Sequence, residues 1–461
     1  MIYIKYSQGN NGGNYSNIVC KSMNSYVEKI LNEEINKHPK ALEFNQALEE
    51  VLKTISVIFD NHPEYEEKKI LEKLVTPDDV IKFKVDLKRD NGDLETYDGY
   101  RVQFNNSVGV YKGGLRFNSH VNESVLKALG FEQTFKNALT GLAMGGAKGG
   151  SNFDPKGKSE EEIKRFCESF MQGLANHIGE DKDVPAGDLG VGAREINYLY
   201  DAYKKIKNND EEGFITGKPI DKNGSLVRKE ATGYGLVYLL NEIIKIHPIS
   251  HEIRIIISGS GNVAIYTAEK CIEFGMKVVG MSDSKGYIID ENLDLEQIKV
   301  IKEQNRGKLS EYSKGIYHEG SIYDAEIKAD IAIPCGCQNE IDLKRAQNLV
   351  KNGIKIVIEG ANMPDENDAI RYYLKNNIVF VPGKAANAGG VSVSFFEMEQ
   401  NRLKEKWSFE KVDTLLKTTM VNIHNQCLEA MKEYNLDSHD YLRAANLASA
   451  KTVIDKLIKR Q

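Results

Sequence analysis

What this sequence lacks narrows it first. No uninterrupted apolar run is long enough to span a bilayer, so a membrane-embedded protein is not expected. No block of basic residues stands out and the net charge is −6, which makes nucleic acid and anionic membrane poor partners. Cysteine is sparse: Cys20, Cys167, Cys271, Cys335, Cys337 and Cys427 are scattered over 461 residues and form no disulfide framework. Only Cys335 and Cys337 are close, and a C-x-C pair with no second pair or nearby histidines gives no zinc site, so no metal is expected. The start lacks the apolar core of a secretory signal and the arginines of a mitochondrial presequence. A reducing, cytoplasmic setting is the expectation.

What is present is ordinary globular composition, 41% hydrophobic and 28% charged, in a chain long enough for two domains. Residues 1–22 read as a disordered tail, rich in Asn, Gly and Ser between Ser7 and Asn17. From Met23 the pattern is helical, with Val27, Ile30, Leu31 and Ile35 on one face. Strands are expected from about Asp79 to Leu115, where apolar and polar residues alternate and Asp90-Asn-Gly marks a turn. Helices follow, from about Glu123 to Thr140 and from Glu160 to His177. After a helix from Thr232 to Ile246, apolar runs beginning at Ile253, Lys277, Ile331, Ile354 and Ile378 alternate with helical stretches. That alternation is the signature of a doubly wound α/β domain. From about Phe409 the chain reads as helix.

Gly259-Ser-Gly261-Asn262-Val263-Ala264 follows the Ile253 strand and opens a helix. This is a G-x-G-x-x-A fingerprint in the context it needs. The first glycine makes a tight turn, the second admits a pyrophosphate to the backbone, and the helix start offers free N–H groups. Asp283 ends the next strand, where an acid ordinarily takes the ribose 2′-OH of NAD. Yet Ser284 follows it, and Lys302, Arg306 and Lys308 lie downstream, as a 2′-phosphate requires. These residues alone leave NAD and NADP both open.

Three lysines sit among small or apolar residues. Lys148 stands alone in Gly141-Leu-Ala-Met-Gly-Gly-Ala-Lys-Gly-Gly, which is not a Walker loop because Gly149 follows the lysine. It is either a surface-loop lysine or a desolvated one whose lowered pKa suits carbonyl polarisation and proton transfer. Lys136 falls inside the apolar arc of the helix from Glu123, with Gln133 at its edge and Lys127, Thr134 and Asn137 opposite. It either pairs with Glu132 or binds an anion in a cleft. Lys112 precedes Gly113-Gly114, where backbone N–H groups can approach a carboxylate. Three such cations suit a dicarboxylate. Asp188, in an apolar glycine-rich stretch, is either a turn residue or the general acid/base that the lysines lack.

Taken together, these segments resemble the hexameric, small-subunit glutamate dehydrogenases of the Glu/Leu/Phe/Val dehydrogenase family, from about Met23 to the C-terminus. The motifs are Tyr111-Lys-Gly-Gly-Leu-Arg-Phe, Met144-Gly-Gly-Ala-Lys-Gly-Gly, Val184-Pro-Ala-Gly-Asp-Leu-Gly-Val-Gly-Ala-Arg-Glu, Glu230-Ala-Thr-Gly-Tyr-Gly, Glu359-Gly-Ala-Asn-Met-Pro and Asn387-Ala-Gly-Gly-Val-Ser-Val-Ser. The resemblance implies a two-domain α/β fold: a substrate-binding and oligomerisation domain over 23–223, completed by a C-terminal helix at 437–461, and a Rossmann domain over 224–436. It implies catalysis by Lys148 and Asp188. Lys136 and Gln133 would hold the α-carboxylate, and Lys112 and Ser394 the γ-carboxylate. Gly114 would add a backbone contact, Ala186 would line the pocket, and Arg228 and Thr232 would border the cleft from the cofactor side. Gly259, Gly261, Asn262, Val263 and Asn362 would contact the cofactor.

Ser282-Asp283-Ser284 looks like the NADP-preferring members, in which serine and the downstream cations, here including Lys302 and Lys308, take the 2′-phosphate. The implied reaction joins 2-oxoglutarate, ammonia and NADPH to L-glutamate. The rival readings are an NAD-dependent or dual-specificity enzyme, a leucine- or phenylalanine-type dehydrogenase with an apolar pocket, and a silent dinucleotide sensor. Two features depart from the family: the Asn/Gly-rich start, and Lys229 where proline is frequent.

Overall fold

Two sheets organise the chain in the computed structural model, which describes residues 23–460. The expected disordered tail over 1–22 lies outside the described residues. The first sheet contains β1 (Asp79–Lys88), β2 (Leu94–Asn105), β3 (Tyr111–Phe117), β4 (Gly146–Ser151) and β5 (Asp183–Gly187), in the order β1-β2-β4-β3-β5. β2 runs antiparallel to both β1 and β4, whereas β3 lies parallel to both β4 and β5. Helix Glu160–Leu174 packs on β1. Its start is fixed by a capping box between Ser159 and Glu162.

The second sheet contains β6 (Arg254–Ser258), β7 (Lys277–Ser282), β8 (Gly286–Ile289), β9 (Ile316–Glu319), β10 (Ile331–Pro334), β11 (Ile356–Ile358) and β12 (Val379–Val381). Its order is β12-β11-β10-β6-β7-β8-β9. The strands from β12 to β7 are parallel, and the strand order reverses between β6 and β10, the switch point where doubly wound sheets bind ligands. Helix Tyr441–Lys459 closes the chain against helices Leu42–Ile55 and Glu123–Leu139 of the first half. The fold is therefore two-domain α/β. No helix among the described residues is long and apolar enough to cross a membrane.

Three sequence expectations need correction. The glycine-rich segment holding Lys148 is no loop but strand β4, buried throughout between β2 and β3. Thr134 and Asn137 do not face solvent. Both are buried, because β4 covers the helix face that the amphipathic pattern assigned to water. After β7 the next two strands, β8 and β9, add antiparallel at the sheet edge before the chain crosses back to β10. The sequence reading also omitted helix Gly389–Leu403, whose start is masked by paired glycines.

Candidate active site

Strands β3, β4 and β5 bring the isolated charges together. Lys148, on β4, lies beside Asp188, which follows the last residue of β5. Their Nζ and Oδ2 are 3.0 Å apart. Gly114 of β3 is opposite Ala186 of β5. Any larger residue at Gly114 would put its Cβ 2.8 Å from the Asp188 Cβ, so glycine there lets the carboxylate reach the lysine. Arg116, to which the sequence assigned no role, donates from Nε to Asp188 Oδ2 at 2.8 Å. Burial lowers the pKa of Lys148, and Asp188 only partly offsets this. Burial alone would raise the Asp188 carboxyl, but Lys148 and Arg116 outweigh it and hold it ionised. The result is one half-buried carboxylate shared by two cations, of which Lys148 is the buried one.

Lys136 is a further member of this charge group. Burial, followed by the Lys148 charge, pushes its pKa down to about 8, against the pull of Asp188 and Glu132. Its Nζ donates not to Glu132 but to Asn387 Oδ1, at 2.5 Å. Asn387 in turn donates to Asn362 Oδ1 at 2.8 Å, linking the first sheet's helix to the turn after β11. Gln133 donates to Asn137 at 2.7 Å, and Asn137 donates to the Lys112 and Gly145 carbonyls.

Lys112 defines a second pocket. It is only 1% exposed, and its Nζ donates to Thr216 Oγ1 at 2.8 Å. Burial foremost, then the nearby Arg101 charge, pushes its pKa down to about 7. Glu397 pulls the other way, and Arg228 adds to the positive field. Arg228 is half-buried, and its buried Nε has no partner among the described residues, an orphaned donor of the kind an anionic ligand satisfies. Ser394 is buried on helix Gly389–Leu403, one turn before Glu397. The hydrogen bond from Lys112 goes to Thr216, a residue the sequence reading missed. Just before Arg228, Val227 holds a left-handed φ of 66°, unusual for a β-branched residue. Lys229, at the position where proline is frequent in the family it resembles, pairs with Glu303 at 2.8 Å and lies over the Tyr266 ring.

The glycine turn after β6 supplies the third part. Gly259, at φ 85°, passes close to the Cys335 carbonyl at the end of β10 and donates its N–H to Ser282 Oγ at 3.2 Å. Gly261 caps helix Asn262–Glu273, so Asn262 and Val263 form its exposed first turn, where free N–H groups suit a pyrophosphate. Thr232 lies at the start of helix Ala231–Ile246, which packs on that helix.

Asp283 is not a free acid. Its Oδ1 accepts the Lys285 and Gly286 N–H groups, and its Oδ2 accepts the Leu309 N–H at 2.9 Å. One oxygen closes the turn that exposes Ser284, and the other ties segment 306–309 to that turn. Arg306 and Lys308 are exposed on that segment, whereas Lys302 donates its ammonium to the Gly307 carbonyl at 2.9 Å. These donors and cations fit a phosphorylated dinucleotide. We expect Arg306→Glu with Lys308→Glu to raise KM for NADPH at least about tenfold and to change KM for NADH less than about threefold. Equal effects in steady-state kinetics with both cofactors would show that these cations do not read the phosphate.

Comparison with known proteins bears on the family and the fold. Residues 223–460 match the family model for glutamate/leucine/phenylalanine/valine dehydrogenase, and residues 77–205 match the Glu/Leu/Phe/Val dehydrogenase dimerisation domain. The NADP-specific glutamate dehydrogenase of Helicobacter pylori is 47% identical over 445 residues, covering 94% of this chain and 99% of that protein. The NADP-specific glutamate dehydrogenase of Escherichia coli K12 is 45% identical over 440 residues, covering 94% and 98%. Among solved structures, a Plasmodium falciparum glutamate dehydrogenase superposes with a TM-score of 0.90 at 43% identity, covering 95% of this chain and 94% of that one.

Proposed function

The chain belongs to the glutamate/leucine/phenylalanine/valine dehydrogenase family, and from that premise we infer an NADP-dependent glutamate dehydrogenase. It is an oxidoreductase that reversibly converts 2-oxoglutarate, ammonium, NADPH and a proton into L-glutamate, NADP⁺ and water. The observation that carries the site assignment is the Lys148–Asp188 pair, desolvated and in the charge field of Lys136. Lys148 polarises the 2-oxo group as ammonia attacks. Asp188, held ionised by two cations, takes one proton from the incoming nitrogen and passes it to the departing oxygen, which leaves as water with a second proton from the Lys148 ammonium. Lys136 and Gln133 grip the α-carboxylate. Lys112, Ser394 and the Arg228 side grip the γ-carboxylate, with Gly114 and Ala186 forming the wall. NADPH supplies the hydride when bound. The turn from Gly259 to Val263, with Thr232 and Asn362, holds it across the cleft, and Ser284 with its neighbouring cations holds the 2′-phosphate.

The buried ammonium of Lys112 argues against a leucine-type substrate, whose apolar side chain would leave that charge unanswered. The Lys148–Asp188 pair argues against a silent sensor. In this reading residues 23–223 with 437–461 form the substrate domain, residues 224–436 form the cofactor domain, and six copies assemble in the cytoplasm. Light scattering on the purified chain should give the hexamer mass, and a stable monomer at assay concentration would contradict that assembly.

The test of the cofactor assignment compares NADPH and NADH side by side with 2-oxoglutarate and ammonia. Higher kcat/KM with NADPH is expected, and higher kcat/KM with NADH would overturn the assignment. A pH effect follows from the lysines. In the free protein Lys112 and Lys136 lose protons near pH 7 and 8, since their pKa values are pushed down to about 7 and about 8. A bound dianion favours their ammonium forms, so affinity falls as pH rises through that window and binding takes up protons. Calorimetry of glutarate binding at pH 8, in buffers of different ionisation enthalpy, should record net proton uptake. Net release would contradict the assignment.

A further inference from the structure

Helix Gly389–Leu403 carries Ser394 and, one turn further, Glu397. Glu397 is completely buried, and its carboxylate bonds segment 215–218 rather than Lys112 itself. Its Oε2 accepts the Gly217 N–H at 3.0 Å, and its Oε1 accepts both the Lys218 N–H at 3.3 Å and the Lys218 ammonium at 2.8 Å. Both side chains of this ion pair are wholly excluded from solvent. Lys218 also donates to the Ile215 carbonyl at 2.6 Å, so segment 215–218 is folded around the pair. Inside that segment sits Thr216, the residue that receives the Lys112 ammonium. The segment is further tied to the first sheet, because Thr216 donates its N–H to the Pro185 carbonyl of β5.

We propose that Glu397 and Lys218 are positioning residues for the recognition of the substrate's side-chain carboxylate: together they fix Thr216, and through it the Lys112 ammonium, relative to the helix that bears Ser394. A fully buried ion pair contributes little net stability, because desolvation offsets its attraction. Its geometric demands are strict, which suits a part that sets register. The nearby charges agree: Glu397 is the largest influence favouring the ammonium form of Lys112, against Arg101 and Arg228, with Asp183 adding a smaller pull. This inference rests on the glutamate dehydrogenase reading above and extends it to residues one layer behind the substrate.

The test uses the full chain with Glu397→Gln and with the double change Glu397→Leu/Lys218→Met, which replaces the pair by apolar groups. Two substrates are compared, 2-oxoglutarate and 2-oxopentanoate, the same carbon chain without the terminal carboxylate. NADPH binding is followed by fluorescence. Both variants should lose at least about tenfold in kcat/KM for 2-oxoglutarate, mostly through KM, while kcat/KM for 2-oxopentanoate and NADPH affinity stay within about threefold of the parent. General damage to the fold would depress both substrates together. Equal losses on the two substrates, or a parent-like KM for 2-oxoglutarate, would overturn the proposal. Glu397→Gln keeps the side chain's shape and decides the matter alone if the double variant yields no folded protein. A parent that fails to turn over 2-oxoglutarate with NADPH and ammonia would overturn the function itself, a result distinct from either variant outcome.

Discussion

Lys148→Ala and Asp188→Asn should each lower kcat by at least about 10²-fold and leave NADPH binding intact. The two groups lie 3.0 Å apart, close enough for both to serve the same reacting carbon. Removing the lysine takes away the charge that polarises the 2-oxo group and leaves Asp188 paired with Arg116 alone. Removing the carboxylate leaves the desolvated ammonium of Lys148 without its counter-charge, which lowers its pKa further. Neither side chain belongs to the glycine turn after β6, so fluorescence titration with NADPH should give near-parental affinity. Residual kcat above about a tenth of the parent in either variant would sink the assignment.

The second large effect concerns substrate choice. Lys112→Leu with Ser394→Val should cost glutamate turnover between about ten- and a hundredfold or more, and should open measurable activity on norleucine or methionine. An ammonium facing a carboxylate in a closed pocket is commonly worth about 1.5–3 kcal/mol net, and its loss leaves the substrate's charge buried without a partner. The neighbourhood raises the stakes, because Lys112 is only 1% exposed and already strained electrostatically by Arg101. Leucine removes that internal repulsion, so the variant should still fold. The measurement is kcat/KM for glutamate and norleucine in parent and variant. A glutamate preference kept at the parental margin would mean the γ-carboxylate is read elsewhere, with the Arg228 guanidinium, whose Nε is orphaned among the described residues, as the first place to look.

Much of this was legible in the sequence, for physical reasons that can be named. The fingerprint from Gly259 to Ala264 was readable because a β-branched strand precedes it and a helix follows, and those are the elements found. The alternation from Val80 onward marked β1 because one face of that strand is buried and the other is not. What stayed hidden depends on contacts between distant segments. Periodicity along one helix cannot reveal that β4 covers its polar face, so Thr134 and Asn137 were assigned to solvent. Glycine-rich β4 has weak intrinsic strand propensity and owes its conformation to the strands on either side. Asp283 looked like an obstacle to a 2′-phosphate because its three backbone donors, one from Leu309, cannot be read from its neighbours. Thr216 and Glu397 carry no motif signal. Their roles arise only where segment 215–218 meets a helix about 180 residues further along the chain.

One measurement tests the central claim most directly. The purified chain is given 2-oxoglutarate, ¹⁵N-labelled ammonium and NADPH, and NADPH loss is compared with the L-glutamate formed and with the label in its amino group. The expected result is one labelled L-glutamate for each NADPH consumed, with no consumption when either 2-oxoglutarate or ammonium is left out, and with the rate reduced at least about 10²-fold in Lys148→Ala. NADPH consumption without labelled glutamate, or an undiminished rate in Lys148→Ala, would contradict the account.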